Sequence, residues 1–359
     1  TWDPWTVGLA QRLVENLPED RDHDWVPALS ELARRPDLPP LFTQIALGAL
    51  ARQPRNPDAA LPPLRGGAYA AQELEMLRRH RSEAEAQTAR QRYLRGEDAL
   101  ARAAALEDLK EAPADLEVLV ARLWKVDEYD GVQMLLASLE KWKMPEAARK
   151  ALLTRFLKHP CWTARLDAWR QLRRLAPATP WPETPKPTYE DRVLLKEAAR
   201  LLAESKPLRL RLTFAGSRTV TLKLDAANAP MNVANLVRLA RLGFFNQRRA
   251  PRVVPDFVVQ MGSPVDTMDG GPGYTVRCEN SLHFYGPGSV GMALSGMVLS
   301  GKDTGGCQFF ITTNATPHLT GRYTRVGEVE DPDRALPLLD ALEPGARLER
   351  VEVLSERKM

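Results

Sequence analysis

The stretch Arg252-Val-Val-Pro-Asp-Phe257-Val-Val-Gln260 decides the fold of the second half of this chain. It holds two short β-runs, Val253-Val254 and Phe257-Val258-Val259. Similar runs follow it at residues 289–294, 308–313, 324–329 and 348–354. Upstream, residues 208–212 and 220–224 alternate apolar and polar side chains, which predicts a hairpin with one buried face.

Two helices are predicted among these strands, at about Pro230 to Leu242 and Pro332 to Leu342. Many short strands with two helices predict a closed antiparallel β-barrel, because closure removes exposed strand edges. We assign this barrel domain to residues 207–359.

The first half of the chain has a different composition. Residues 1–176 are rich in Ala, Leu, Arg and Glu and poor in glycine and β-branched runs, which is typical of helices. Apolar residues recur at steps of three and four, as at Trp162, Leu166, Trp169 and Leu172. Prolines at positions 113, 145 and 160 lie between such stretches, where a helix is expected to end or begin.

A weak repeat runs through these helices. Arg165, Ala168 and Leu172 share their spacing with Arg102, Ala105 and Leu109, and less closely with Thr43, Ala46 and Leu50. The pattern resembles the second helix of a HEAT-type repeat, but its copies lie 59 and 63 residues apart. Such repeats are roughly 40–47 residues long. We therefore predict an irregular α-solenoid, with an ordinary helical bundle as the alternative.

A proline-rich segment separates the two halves, with prolines at positions 177, 180, 182, 185 and 187. Proline cannot continue a helix, and a cluster of prolines favours an extended, semi-rigid spacer. A helix at about Tyr189 to Glu204 follows, and it could pack on either half. We assign residues 177–206 to a proline-rich linker with this connecting helix.

Composition excludes several classes of protein. The chain has 359 residues, of which 44% are hydrophobic and 27% charged, as in an ordinary folded protein. Its net charge is +4, and basic and acidic residues are interleaved, which argues against a nucleic-acid groove. No apolar run reaches the roughly 18–20 residues of a membrane span. The five histidines and three cysteines (Cys161, Cys278 and Cys307) are scattered, so we expect no disulfide scaffold, metal site or cofactor.

The start of the sequence bears on localisation. It begins at Thr1, and its first residues do not resemble a signal peptide. We expect a cytoplasmic protein by default, and an exported one if a signal sequence precedes Thr1.

Four segments of the second half carry a resemblance to a known family. They are Arg252 to Gln260, Gly270-Gly-Pro-Gly-Tyr274, Gly305-Gly-Cys-Gln308-Phe-Phe310-Ile and Pro317-His318-Leu319-Thr-Gly321-Arg-Tyr323. With Ala229-Pro230-Met-Asn-Val-Ala-Asn235-Leu before them, they resemble the cyclophilins, barrel-shaped peptidyl-prolyl cis/trans isomerases, and bacterial members above all. The resemblance spans about residues 207–354.

The reaction of this family explains the choice of residues. Rotation about an X–Pro bond faces a barrier of ~18–20 kcal/mol, because the nitrogen lone pair is delocalised into the carbonyl. Arg252 offers several donors in a rigid fork and is predicted to stabilise that lone pair as it localises. Gln260 is the second predicted catalytic residue, expected to hold Arg252 and to bond the moving carbonyl. The predicted substrate-binding residues are Phe257, Val258, Ala293, Gln308, Phe310, His318, Leu319 and Tyr323.

The sequence departs from the family pattern at several positions. Ala250-Pro251 replaces the usual Phe-His before the arginine, and Met261-Gly262-Ser263 replaces the Gly-Gly-Asp that follows the family's glutamine. His318 and Tyr323 replace a common tryptophan and histidine. Gly291-Met-Ala-Leu-Ser-Gly296 is followed by a near copy ending at Gly301. The resemblance implies an alanine in the substrate groove. That alanine is either Ala293, with an inserted loop after it, or its position is filled by Val298. We favour Ala293, because Gly288-Ser289-Val290 precedes it as the family strand would.

These observations predict a peptidyl-prolyl cis/trans isomerase that assists protein folding as a chaperone. Its partners would be proline-containing peptides or unfolded protein clients, and the helical domain would recruit those clients or another protein partner. The alternative is a weakly active or inactive proline-peptide binding module on a helical scaffold, suggested by Ala250-Pro251 and the inserted segment.

Overall fold

The computed structural model describes residues 14, 17, 24–38, 40–124, 129–184, 186, 188–204, 207–295 and 302–354. The chain divides into two compact units, and the division falls after Lys186. We call the described residues up to Lys186 the helical unit and those from Thr188 onward the barrel unit. Pro185, Pro187, Val298 and the near copy up to Gly301 lie outside the described residues.

The helical unit consists of short helices, which confirms the helical prediction; its solenoid character stays a prediction. Sequential neighbours pack on each other over most of the unit. Pro145 is the N-cap of the helix that follows it, and Pro113 and Pro160 each precede a helix start. The helices are α1 Val26–Arg34, α2 Pro40–Arg52, α3 Ala70–His80, α4 Glu83–Arg95, α5 Ala99–Glu107, α6 Leu116–Arg122, α7 Tyr129–Lys141, α8 Glu146–Phe156 and α9 Trp162–Leu175.

The two arginines of the weak repeat perform the same structural task. Arg102 of α5 donates to the carbonyl of Gly96, just after α4. Arg165 of α9 donates to the carbonyl of His159, just after α8, at 2.5 Å. Carbonyls in the turn after a helix lie outside its hydrogen-bond ladder, so each arginine satisfies one carbonyl of the turn that follows the preceding helix.

Two buried histidines also bind helix ends. In each ring Nδ1 accepts a backbone N–H, from Asn56 to His80 and from Cys161 to His159, both at 3.1 Å. Nε2 must therefore carry the proton, and it donates to the carbonyl of Leu50 at 2.8 Å or of Leu123 at 3.1 Å. Burial lowers the pKa of both imidazoles, so they are held in the neutral form.

We predict that acid destabilises the helical unit through these histidines. The unfolded chain takes up protons near the ordinary histidine pKa of about 6.5, whereas the folded rings do so only at lower pH, so the free energy of unfolding falls as the pH drops below that value. Replacing His159→Gln removes one such group while keeping an amide donor. The fall in the melting temperature between pH 7.5 and 5.5, followed by circular dichroism, should be smaller in the variant by roughly 2–4 °C.

Other titrating groups cancel in this comparison because both proteins contain them. Asp167 is the main one: burial raises its pKa to about 6, which acts in the opposite direction. An equal pH dependence in the two proteins would contradict the assignment of a neutral, buried His159.

The barrel unit contains one nine-stranded antiparallel sheet, in the order β3-β9-β1-β2-β8-β6-β7-β5-β4. The first and last strands of this order are separated in the chain by one residue, Pro251, so the sheet is a nearly closed barrel, as predicted. The strands are β1 Leu208–Phe214, β2 Arg218–Leu224, β3 Arg248–Ala250, β4 Arg252–Val254, β5 Val258–Met261, β6 Ser289–Met292, β7 Phe309–Thr312, β8 Arg325–Val329 and β9 Ala346–Leu354.

Three helices complete the barrel unit: α10 Tyr189–Glu204, α11 Pro230–Arg241 and α12 Pro332–Asp340. The predicted hairpin is confirmed, because β1 and β2 pair from Leu208 with Leu224 to Phe214 with Arg218. Helix α10 packs on α11, where Arg241 bonds Glu197, and it adds Ala198 and Leu201 to the barrel core. Among the described residues of the whole chain, no helix is both long and apolar enough to cross a bilayer.

Candidate functional site

Strand register places the two predicted catalytic residues and the central pocket residue in one row. β4 and β5 pair Arg252 with Gln260, β5 and β7 pair Gln260 with Phe310, and β6 and β7 pair Phe310 with Gly291. Directly paired residues of an antiparallel sheet point to the same face. The alternate residues of these strands point into the barrel core: Val259, Met261, Val290, Met292, Phe309 and Ile311. The row therefore lies on the outer surface of the barrel.

A small hydrophobic cluster beside this row is separate from the barrel core. The Phe310 ring lies 5.9 Å from the Tyr285 ring, and it meets the Tyr323 ring edge to face at 5.5 Å. Gly291 leaves space for both larger rings, because a Cβ there would be 2.4 Å from Phe310 Cζ and 2.5 Å from Tyr285 Oη. The buried members are Val258, Tyr285, Phe310 and Leu319, and the partly buried members are Phe257, Ala293 and Tyr323.

Arg252 forms a stack with two rings at the edge of this cluster. Its Cζ lies 5.5 Å from the centroid of Phe257, and Phe257 stacks on the exposed His318 at 5.6 Å. The cation–π contact orients the guanidinium without using its N–H groups. Within the described part of the chain, that guanidinium makes no hydrogen bond or ion pair, so its donors are available to a ligand.

The two glutamines are linked to each other, and Gln260 does not bond Arg252 as predicted. Gln260 Nε2 donates to Gln308 Oε1 at 3.0 Å. Gln308 Nε2 in turn donates to the carbonyls of Met268 at 3.1 Å and Gly270 at 3.0 Å. Register brings Gln260 beside Arg252, but the guanidinium lies over Phe257 instead. The glutamine pair therefore fixes the loop that begins at Met268.

A buried asparagine of α11 holds the other end of this loop. Asn235 Nδ2 donates to the Gly306 carbonyl, and its Oδ1 accepts from Tyr274 Oη, both at 2.6 Å. Gly306 faces Pro272 so closely that a Cβ there would be 2.8 Å from Pro272 Cδ. Residues 268–274 and 305–308 are thus tied together by Gln308 at one end and by Asn235 at the other. We call these two segments the rim.

Sequence reasoning missed Asn235, Tyr274 and Tyr285 as parts of this arrangement. The first two stand in segments that carried the family resemblance, and their roles become visible only from the contacts. One signal was present: Asn235 lies among Val233, Leu236 and Val237 on a helix, and a polar side chain there needs a buried partner.

The structure also shows where the positions lie that depart from the family pattern. The Ala293 N–H donates to the Gln308 carbonyl at 2.9 Å, which puts this alanine beside the rim, whereas Val298 lies outside the described residues. Ala250 is buried in the barrel core and Pro251 joins the two edge strands. Gly262 has φ +99°, and a Cβ there would be 2.5 Å from the Cys307 carbonyl oxygen. The departures at Ala250 and Pro251 therefore lie in the barrel wall and not in the cluster.

Comparison with known proteins identifies the class to which this fold and site belong. The family model described as cyclophilin type peptidyl-prolyl cis-trans isomerase/CLD matches residues 209–355. The peptidyl-prolyl cis-trans isomerase of Synechococcus elongatus is 37% identical over 138 residues, which are 38% of this chain and 91% of that protein. The chain therefore belongs to the cyclophilin-type peptidyl-prolyl cis-trans isomerase family, and its barrel unit contains the isomerase domain.

The chain is also similar to one further curated protein and to one solved structure. Peptidyl-prolyl cis-trans isomerase B of Bacillus subtilis is 46% identical over 103 residues, which are 28% of this chain and 68% of that protein. A crystal structure of a Cryptosporidium parvum cyclophilin type peptidyl-prolyl cis-trans isomerase matches 42% of this chain and 100% of its own, with 22% identity and a TM-score of 0.39.

We predict that Tyr274→Phe lowers activity without unfolding the barrel. The variant keeps the ring but loses the hydrogen bond to Asn235, so one end of the rim is released. A net hydrogen-bond contribution of about 0.5–1.5 kcal/mol corresponds to a fall of about 2- to 10-fold in kcat/KM on a short X-Pro peptide. The exposed Tyr189 provides a matched control, since Tyr189→Phe should leave the rate unchanged. A lower melting temperature with an unchanged rate would show that the bond is only structural.

Proposed function

We propose that Arg252 stabilises the twisted X–Pro bond while the hydrophobic cluster holds the proline ring. The main support is that the Arg252 guanidinium stacks on Phe257, next to the cluster around Phe310. Its N–H donors are unused within the described part of the chain. This isomerisation is a rotation about the C–N bond, and no σ bond forms or breaks. A donor positioned where charge develops, and a pocket that fixes one end of the bond, are therefore what the reaction needs.

The chemistry follows from the change at the prolyl nitrogen. As the C–N bond rotates, conjugation is lost and the lone pair localises on nitrogen. An N–H of Arg252 directed at that nitrogen binds the twisted state more strongly than either planar isomer. Gln260 keeps a second amide N–H beyond the one given to Gln308, and we assign that proton to the moving carbonyl.

The remaining residues are proposed to bind the peptide around the proline. Val258, Phe310 and Leu319 are buried apolar side chains that would receive the ring. Ala293 is small and lies beside Gln308, so it leaves room for the residue before the proline. His318 and Tyr323 would border the same pocket, each in ring contact with one of its phenylalanines.

We predict that Arg252→Ala lowers kcat/KM by about 100-fold or more, the usual effect of removing a donor to developing charge. Arg252→Lys should recover only part of this activity, because an ammonium supplies charge without the planar fork. A protease-coupled assay on a short X-Pro peptide measures both. Arg350→Ala serves as the control, since Arg350 is an exposed arginine of the same unit. An unchanged rate for Arg252→Ala would overturn the mechanism.

We also propose that the helical unit recruits unfolded protein clients, so that the whole chain assists protein folding. Every residue of the proposed site lies in the barrel unit, so the helical unit is not needed for the bond rotation itself. The helical unit nevertheless exposes a large apolar side chain at Val118. Covering such a side chain with an unfolded chain removes apolar surface from water, which is favourable.

The recruitment proposal predicts different behaviour on peptides and on proteins. Residues 188–359, which include α10, and the full chain should isomerise a short X-Pro peptide at the same rate. The full chain should be several-fold faster when an unfolded protein refolds with a proline-limited step, because only it binds the client. The fragment is a reasonable test object, since the matched region makes up 91% of the Synechococcus relative. Equal acceleration of protein refolding by both would contradict recruitment by the helical unit.

A further inference from the structure

The first part of the proline-rich segment lies on one face of α9. Trp169 Nε1 donates to the carbonyl of Thr179 at 3.3 Å, and Arg165 Nη1 donates to the carbonyl of Glu183 at 2.7 Å. The ring of Trp181 meets the Trp169 ring edge to face at 4.5 Å and lies 6.0 Å from the Trp162 ring. Residues 162, 165 and 169 are three and four positions apart, so they share one helix face. We call Trp162, Arg165 and Trp169 the tryptophan face.

The contacts on this face are of a kind used to recognise extended proline-rich chains. Aromatic-lined grooves bind such chains because proline already restricts the backbone, which lowers the entropy lost on binding. Here Pro180 and Pro182 bias the residues before them, Thr179 and Trp181, toward extended conformations. Both hydrogen bonds go to backbone carbonyls, which any peptide offers. The contacts on this face are therefore to an extended backbone and to one aromatic side chain, and they do not depend on the rest of the sequence.

We propose that the tryptophan face is a binding site for extended, proline-containing segments of client proteins. In this structure residues 177–183 of the same chain occupy that site. The inference rests on the proposed recruitment of clients and names the surface that performs it. In this chain a segment of that chemistry is already seated on the face. The substrate class of the barrel, proline-containing peptide, is thus also the ligand class of the helical unit.

The resident segment combines an exposed aromatic side chain with a buried proline. Trp181 is 60% exposed although it contacts two other indoles, and Pro182 beside it is buried, so a ligand that takes its place must cover the surface that Pro182 covers. A tethered segment has a roughly millimolar effective concentration, so it masks the face from weak ligands. A client with several proline-containing segments, or a variant with a weakened resident, would gain access.

The test uses the full chain and a fluorescent peptide with the sequence of residues 176–184, Ala-Pro-Ala-Thr-Pro-Trp-Pro-Glu-Thr. Fluorescence anisotropy should show that the Trp181→Ala variant binds this peptide about tenfold more tightly than the wild type, because its resident segment is weakened. Adding Trp169→Ala to that variant should abolish the gain, since both the ring contact and the indole donor are lost. A peptide with its prolines replaced by alanine should bind more weakly to the Trp181→Ala variant.

Several outcomes would overturn the proposal. If Trp181→Ala gains no affinity, or the proline-free peptide binds equally well, residues 177–183 are a fixed part of the helical unit. If light scattering shows a dimer that depends on Trp181, the face is filled by a second copy of the chain. Equal melting temperatures of wild type and Trp181→Ala exclude unfolding as the cause of any difference.

The same variants separate this inference from the proposed function. Trp181→Ala should retain the wild-type rate on a short X-Pro peptide, because Trp181 has no part in the barrel site. Loss of that rate in Arg252→Ala, with peptide binding to the tryptophan face unchanged, would show that catalysis and capture are independent. Peptide binding without faster refolding of an unfolded protein would remove recruitment and leave the binding site standing.

Discussion

The contact between Phe310 and Gly291 is the constraint on which the site depends. The two residues face each other across β6 and β7, and any side chain at position 291 would occupy the space of the Phe310 ring. The interior of the barrel is already filled by the alternate residues of the same strands. The missing side chain at Gly291 lets the Phe310 ring lie beside Tyr285 on the outer surface, where we propose that it forms the floor of the proline pocket. Arg252 and Gln260 lie on the same outer face as Phe310, because strand register extends the row across two more strands.

Rigidity of the rim is achieved with side-chain donors to backbone carbonyls. Gln308 donates to the loop that begins at Met268, and Asn235 donates to Gly306. Both amides are themselves fixed by a second partner, Gln260 for one and Tyr274 for the other. Satisfied networks of this kind hold irregular backbone in place where no ladder of strand hydrogen bonds exists. The floor of the proposed pocket is thus fixed by the sheet, and the rim by four polar side chains.

The elements predicted from sequence are those whose signal is local. Alternation over residues 208–224 revealed the hairpin, and the apolar stripe of α11 revealed the helix. β3 was not predicted, because Arg248-Arg249-Ala250 has no apolar pattern and pairs with β9 only through closure of the barrel. The role of Tyr285 depends on Gly291 and Phe310, which are distant in sequence, so no local pattern could reveal it. The partner of Gln260 was missed for the same reason, since Gln308 reaches it across neighbouring strands.

Carbonyl recognition also explains why the repeat in the helical unit is so weak. Arg102 and Arg165 donate to carbonyls just after the helix that precedes their own. His80 and His159 donate to the carbonyls of Leu50 and Leu123, at the ends of helices earlier in the chain. A backbone carbonyl is identical at every position, so this packing constrains only the donor and leaves the accepting residue free to vary. Ala105 and Ala168 are fully buried, which adds a demand for small size at one further position. Few positions per helix are therefore fixed, and a sequence can drift widely while the same contacts persist.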